Sequence, residues 1–215
     1  NLHSACSRNE QTLQSHASDL QLTNATTDYQ DILADPAVDV VSIVTHWEDH
    51  FQVAIDALQA GKHVLLEKPM AATLEQCREI QECAQHSDGK FMVGHICRFD
   101  PRYALARESI MAGDIGTICS IHACRNLPTV AGNIRLDKIS PMIGDGIHDL
   151  DVVMWMLGRR PQSVMAKNVR VHDFKYPDIS WAMFDFSDPA VDHETIAVIE
   201  TNWALPENTP TVIDA

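Results

Sequence analysis

Short β-branched runs alternate with amphipathic stripes through the first half of the chain. Leu2–Cys6 reads as a short strand, and Glu10–Leu20 is polar and weakly helical. Tyr29–Ala34 follows Thr27 and Asp28, two residue types that cap helices. Asp39–Thr45 is a β-branched run with little polar interruption, the pattern of a strand covered on both faces. His50–Ala60 places Phe51, Ala54, Ile55 and Leu58 on one helical stripe, and Gly61 follows as a stop. His63–Glu67 reads as a further buried strand, closed by Pro69. Thr73 and Gln76 form a capping box for a helix that uses Leu74, Cys77 and Ile80, and Phe91–Gly94 is another strand. Strands separated by helices of this length predict βαβ units and a parallel sheet.

The pattern changes in the second half. Asp100-Pro101 opens a helix with a cap and a first-turn proline, and Gly113 ends it. Thr117–Arg125, Ser163–His172, Ile179–Ser187 and Glu194–Ala204 then follow, rich in Val, Ile, Trp and Phe, with Asp188-Pro189 marking a turn between the last two. One helix interrupts them, with Ile147, Leu150, Met154 and Leu157 spaced by three and four and Gly158 at its end. Strands in succession predict a mostly antiparallel open sheet in an α+β domain. The division predicted is 1–98 for the α/β part and 99–215 for the α+β part.

Composition narrows the function classes. Lys plus Arg is 16 against 30 for Asp plus Glu, a formal charge of −14. No basic stripe is present, which argues against nucleic acid as a partner. No apolar run reaches the ~18 residues of a membrane span, and no signal peptide precedes the first strand, so a cytoplasmic location is expected. Six cysteines, at 6, 77, 83, 97, 119 and 124, show no C-x-x-C pairing and read as free thiols filling the core. No metal site is expected. The chain opens on Asn1 and stops at Thr211–Ala215, in what reads as the beginning of a strand, so both ends look internal to a longer protein.

Two segments carry chemistry. In Ala60-Gly-Lys-His-Val-Leu-Leu-Glu-Lys-Pro69 a strand delivers Glu67 and Lys68 at its carboxyl end, where open α/β sheets bind ligands. Pro69 fixes the turn and removes a competing donor. A lysine so placed donates to a cofactor amide or substrate hydroxyl, and as a cation it stabilises a developing alkoxide. A solvated strand-end lysine is the alternative. In Gly144-Asp-Gly-Ile-His-Asp-Leu-Asp151, His148 opens an amphipathic helix and is a residue type that takes a proton near neutral pH. A satisfied, non-catalytic histidine is the alternative there. Asp145, His148 and Asp149 would share a face if helical, but acidic residues also favour a helix start for electrostatic reasons.

Together these segments resemble the glucose–fructose oxidoreductase/inositol dehydrogenase (Gfo/Idh/MocA) family. The matching residues include the Asp39–Thr45 strand, His50, Glu67-Lys68-Pro69, Gly94-His95, Arg98 to Tyr103, Gly146 to Asp151, and Trp155. The resemblance implies a Rossmann-like domain whose first strand and helix are missing here, followed by an incomplete α+β domain with a mostly antiparallel open sheet. It implies a nicotinamide cofactor and oxidation of a secondary hydroxyl on a sugar, sugar nucleotide or polyol. Lys68 would contact substrate and nicotinamide, and His148 would be the acid/base. Thr45, His46, Trp47, His50, Glu67 and Pro69 would line the cofactor. Arg98, Tyr103, Asp145 and Asp149 would shape the substrate pocket, with Asp151 a structural carboxylate. Assembly through the second sheet as a homo-oligomer is implied as well. Isomerisation or glycoside cleavage with recycled cofactor, and a non-catalytic cofactor sensor, remain alternatives on the same fold.

Three departures stand out. No G-x-G-x-x-G occurs, so the pyrophosphate cradle is missing and these 215 residues alone are expected to bind neither NADH nor NADPH. Active members often carry aspartate four residues before the histidine, where this chain has Gly144, with Asp145 beside it. After Thr45 stands His46-Trp47 rather than the family's usual Pro-Asn. At the end of the first strand, Ser7-Arg8 replaces the acidic residue that grips ribose hydroxyls in NAD sites, which tilts the expected cofactor toward NADP over NAD.

Overall fold

The computed structural model describes residues 2–188, 190 and 193–214. It divides into two compact units, Asn1–Gly94 and His95–Ala215, a boundary four residues before the one set from sequence.

In the first unit, β1 (Ser4–Cys6) pairs in parallel with β2 (Asn24–Thr26), and α1 (Glu10–Asp19) connects them. β2 carries no β-branched run and was not anticipated. After α2 (Tyr29–Ala34), the strands β3 (Val40–Ile43), β4 (His63–Glu67) and β5 (Phe91–Gly94) form a parallel sheet in that order. The crossovers are α3 (His50–Gln59) and α4 (Leu74–His86), which pack on each other. The core is Leu33, Ile43, Ala54, Ala57, Leu58, Val64, Leu66, Ala71 and Ile80. Each large side chain here stabilises the fold by about 1.5–3 kcal/mol relative to exposure.

Local chemistry sets the helix ends. Asp28 accepts from Gln30 N at the start of α2, and Thr73 accepts from Gln76 N at the start of α4. The return bond of the expected capping box is displaced by one residue, because Gln76 Oε1 accepts from Ala72 N.

Two expectations need correction. Within the described residues one face of β3 and β4 is open: Val40 is 60% exposed, Leu65 37%, and Val44, just after β3, 70%. α3 packs against these strands on one side, and apolar residues on the opposite face hid the period of two. Nor are the cysteines core filler. Cys6 and Cys119 are exposed, and the other four are half-buried. Cys77 and Cys83 touch the first core only from its margin.

In the second unit a 3-10 turn, Ile96–Phe99, leads into α5 (Pro101–Ala112). Asp100 caps α5 through Arg102 N, and Gly113 ends it at φ +79°. The long strand β6 (Ser120–Pro128) is followed by a single turn, α6 (Thr129–Gly132), a π-helical turn at Met142–Gly146, and α7 (Ile147–Leu157). The strands β7 (Ser163–Val169), β8 (Ile179–Asp185), β9 (Ile196–Leu205) and β10 (Val212–Asp214) complete a sheet ordered β10-β6-β9-β8-β7. All its pairings are antiparallel except β6 with β9. Val153 of α7 packs on Ala182, Phe184, Phe186, Ala197 and Ile199. Of the turn expected at Asp188-Pro189, Pro189 lies outside the described residues, as does Ala215 of the last segment. No helix among the described residues is long and apolar enough to cross a membrane.

Candidate functional site

Parallel strands present their carboxyl ends on one edge, which is where the polar residues of the first unit gather. Thr45, His46 and Trp47 follow β3, Glu67 ends β4, and Lys68 and Pro69 continue it through a cis Lys68–Pro69 peptide. His50, at the first turn of α3, is fully buried and ties two of these loops together. Its Nδ1 lies 2.8 Å from Pro69 O and its Nε2 3.1 Å from Thr45 O. A neutral ring donates to only one of them at a time. Glu67 Oε2 accepts from Lys68 N at 3.1 Å, and the absence of a side chain on Gly94 leaves room beside Glu67 Oε1. Lys68 itself is half-buried.

Of three other candidates in this unit, His46 and Arg8 are exposed and Ser7 is half-buried. His46 sits 3.3 Å from Glu48 Oε2 and tilts against the Trp47 ring at 5.7 Å. Ser7 accepts from Asn9 N. Arg8, 81% exposed, lies 3.3 Å from Asp49, an ion pair that solvent screens.

In the second unit the helix α7 begins with a row of buried polar groups. His148 and Asp149 are buried in its first turn, and Asp151 follows. Arg98 grips Asp151 with two bonds, Nε to Oδ2 at 2.7 Å and Nη2 to Oδ1 at 2.6 Å, so the 3-10 turn is fastened to α7. Trp155 receives two guanidinium groups, Arg98 at 5.9 Å and Arg107 at 4.9 Å from the ring centre. Asp149 accepts from Arg125 Nε through both oxygens, at 2.9 and 3.0 Å. Burial pushes the Asp149 carboxyl up to about 6; Arg125 pulls the other way, and Asp145 adds to the rise. Tyr103 on α5 is half-buried, and burial raises its phenol.

Gly144 has a steric explanation. A Cβ there would lie 2.8 Å from Cη2 of Trp203, which is fully buried on β9. The indole therefore fills the space that a side chain at 144 would need. Its Nε1 donates to Asp145 Oδ2 at 2.8 Å.

Sequence reading missed Arg125 and Trp203. Both could have been found from strand alternation. Ala123 and Arg125 share one face of β6, and Ala197, Ile199, Thr201 and Trp203 share one face of β9. An arginine in register with buried residues calls for a buried carboxylate. Among the described residues no group of three or more His, Cys, Asp or Glu is placed to hold a metal ion.

A parallel sheet with polar groups at its strand ends, followed by an open, mostly antiparallel sheet backed by one helix, defines a two-part Rossmann-type protein. A family profile described as an oxidoreductase family with an NAD-binding Rossmann fold matches residues 1–95, and the GFO/IDH/MocA C-terminal domain matches residues 103–213. The chain belongs to the Gfo/Idh/MocA oxidoreductase family.

It is 36% identical over 132 residues to a 1-carboxy-3-chloro-3,4-dihydroxycyclohexa-1,5-diene dehydrogenase of Comamonas testosteroni, covering 59% of this chain and 33% of that protein. It is 35% identical over 140 residues to inositol 2-dehydrogenase of Salmonella typhimurium, covering 64% and 40%. The structure of apo scyllo-inositol dehydrogenase from Lactobacillus casei superposes with a TM-score of 0.82 at 25% identity, over 98% of this chain and 63% of that one. The chain thus spans less than half the length of these curated relatives.

Proposed function

We propose that the protein carrying this chain is a nicotinamide-dependent oxidoreductase. It takes a hydride from a secondary hydroxyl carbon of a sugar, sugar nucleotide or cyclitol. The observation that carries this reading is the match of both family domains in order, with Lys68 at the end of β4 and His148 in the first turn of α7.

The donor set of the first unit fits a nicotinamide ribose: Thr45, His46, Trp47, Glu67, Lys68 and Pro69 follow neighbouring strand ends, with His50 bracing two of the loops. When bound, the nicotinamide supplies the hydride acceptor. Ser7 and Arg8 face the adenosine ribose and favour NADP, with NAD the second choice. His148 takes the hydroxyl proton on a ring nitrogen, which allows hydride to leave the same carbon. Lys68 places its ammonium against the developing alkoxide. Asp145 and Tyr103 contact substrate hydroxyls. Arg98 and Asp149 shape the pocket through their ion pairs with Asp151 and Arg125.

The relatives act on cyclic polyols or diols according to their names, which supports the substrate class. A second copy of the chain is proposed to cover the sheet face that exposes Met165, Trp181 and Met183.

The test is coenzyme reduction, followed at 340 nm in the full-length protein. NAD and NADP are each offered with myo-inositol, scyllo-inositol and a cyclohexadiene cis-diol carboxylate. Net reduction with at least one polyol supports the reading. Substrate turnover without net reduction indicates a recycled coenzyme, and coenzyme binding without turnover indicates a sensor.

A further inference from the structure

Trp203 is the largest fully buried side chain among the described residues. Its surroundings are unusual for a core tryptophan. A Cβ on Gly132 would lie 2.6 Å from its Cβ, and one on Gly144 would lie 2.8 Å from Cη2 and 2.9 Å from Cζ2. The Arg135 guanidinium sits 5.8 Å from its ring centre. Its backbone N–H donates to Asp178 O at 2.9 Å. The one polar atom of the ring, Nε1, donates to Asp145. The indole thus spans from the β9 backbone to the π-helical turn that runs directly into α7 and His148.

Gly144 leaves room for the far edge of this ring, and Gly132 for the backbone and Cβ of residue 203; a phenylalanine would fill most of the same apolar space. The donor is what phenylalanine lacks. A buried indole N–H requires an acceptor, and a carboxylate held by a neutral donor from the core keeps one orientation. We propose that Trp203 is a positioning residue for the substrate site: its ring replaces a side chain at 144, and its Nε1–H fixes the Asp145 carboxylate and the turn that presents His148. The indole thereby aims the carboxylate next to the glycine, with Nε1 2.8 Å from Asp145 Oδ2. This rests on the oxidoreductase reading for its kinetic consequence, but the structural device is testable without activity.

The first arm needs no substrate. In the full-length protein with ¹⁵N-labelled indole nitrogens, the Trp203 Nε1–H resonance should show slow hydrogen exchange and lose that protection in Asp145→Ala. Gly144→Ala should lower the melting temperature while Trp203 is present and do so much less in Trp203→Leu, because the added methyl meets the ring. An indole signal unmoved by Asp145→Ala, or a Gly144→Ala cost that is independent of residue 203, overturns the device.

The second arm uses whichever of the three test polyols wild type oxidises. Trp203→Phe keeps most of the ring and removes the donor. It should raise the polyol KM about tenfold, the scale of a hydrogen bond to a charged group, with coenzyme KM within twofold. The same change made in Asp145→Ala should add little. Polyol KM within twofold of wild type in Trp203→Phe, or equal losses for coenzyme and polyol, overturns the positioning role. Loss of all oxidation in wild type would instead refute the oxidoreductase reading, and the first arm would still decide the structural claim.

Discussion

Replacing Arg125 by Met tests the electrostatics at the start of α7. The Arg125 side chain is 9% exposed and that of Asp149 1%, so neither charge has much water to fall back on. Arg125 Nε reaches both carboxylate oxygens at 2.9 and 3.0 Å, and removing it strands a buried carboxylate. Breaking a buried pair in this way costs about 3–5 kcal/mol. The cost depends on pH. Asp149 stands at about 6, above the ordinary 3.8, so the folded state binds a proton that the unfolded state has released. Its contribution to stability is present below the unfolded value and is lost as pH rises through about 6. Arg125 is the group pulling that value down, so its removal moves the folded value higher still. Urea unfolding of Arg125→Met, followed by circular dichroism, should therefore show the full loss at pH 8 and a loss smaller by at least ~1 kcal/mol at pH 5.5. Arg125→Met/Asp149→Leu should recover most of the stability at pH 8, because an apolar pair of similar volume replaces the ion pair. A single-variant loss under ~1 kcal/mol at pH 8, or an equal loss at both pH values, would refute the account of this pair.

Three further outcomes are expected. In the full-length protein His148→Asn should lower turnover by about 10²–10⁴, with coenzyme binding nearly intact; turnover within about threefold of wild type from pH 6 to 9 would remove His148 from the base role. Burial raises the Asp149 carboxyl to about 6, so Asp149 contributes to the acid limb of the pH profile, and that measurement is best repeated in Asp149→Asn. Ser7→Asp should shift the ratio of coenzyme efficiencies toward NAD through repulsion of the 2′-phosphate, and an unmoved ratio would show that Ser7-Arg8 does not face the ribose. His50→Leu leaves the carbonyls of Thr45 and Pro69 without their buried partner, so it should cost about 1–3 kcal/mol by thermal or urea unfolding, and an unchanged unfolding midpoint would show that His50 does not brace these loops.

The helices most legible in the sequence were those with a glycine stop and either a stripe or a cap. α3 and α7 carry apolar residues at helical spacing and α5 a capping aspartate with a first-turn proline; a glycine follows each, and all three form where those signals place them. β2 was missed because three residues of Asn-Ala-Thr carry no period. The exposure of Val40 and Val44 was unreadable because one valine looks the same facing a helix or facing outward. At the candidate site, Lys68 and His148 were conspicuous because strand-end and helix-start positions are local facts. Partners were not local. Arg125 meets Asp149 across 24 residues, and Trp203 meets Asp145 across 58. Such pairings follow from sheet register, which one sequence does not display. The Gly144 departure is a packing requirement set by Trp203 on β9.

The most direct test of the central claim is the fate of the hydrogen on the carbinol carbon. The full-length protein is given NAD or NADP with a polyol that it oxidises, deuterated at its carbinol carbons, and the recovered coenzyme is examined by mass spectrometry and proton NMR. The account predicts one deuterium at C4 of the reduced nicotinamide, on a single face, with transfer slowed in His148→Asn and Lys68→Met. Reduced coenzyme carrying no deuterium, or transfer at the wild-type rate in both variants, would contradict it.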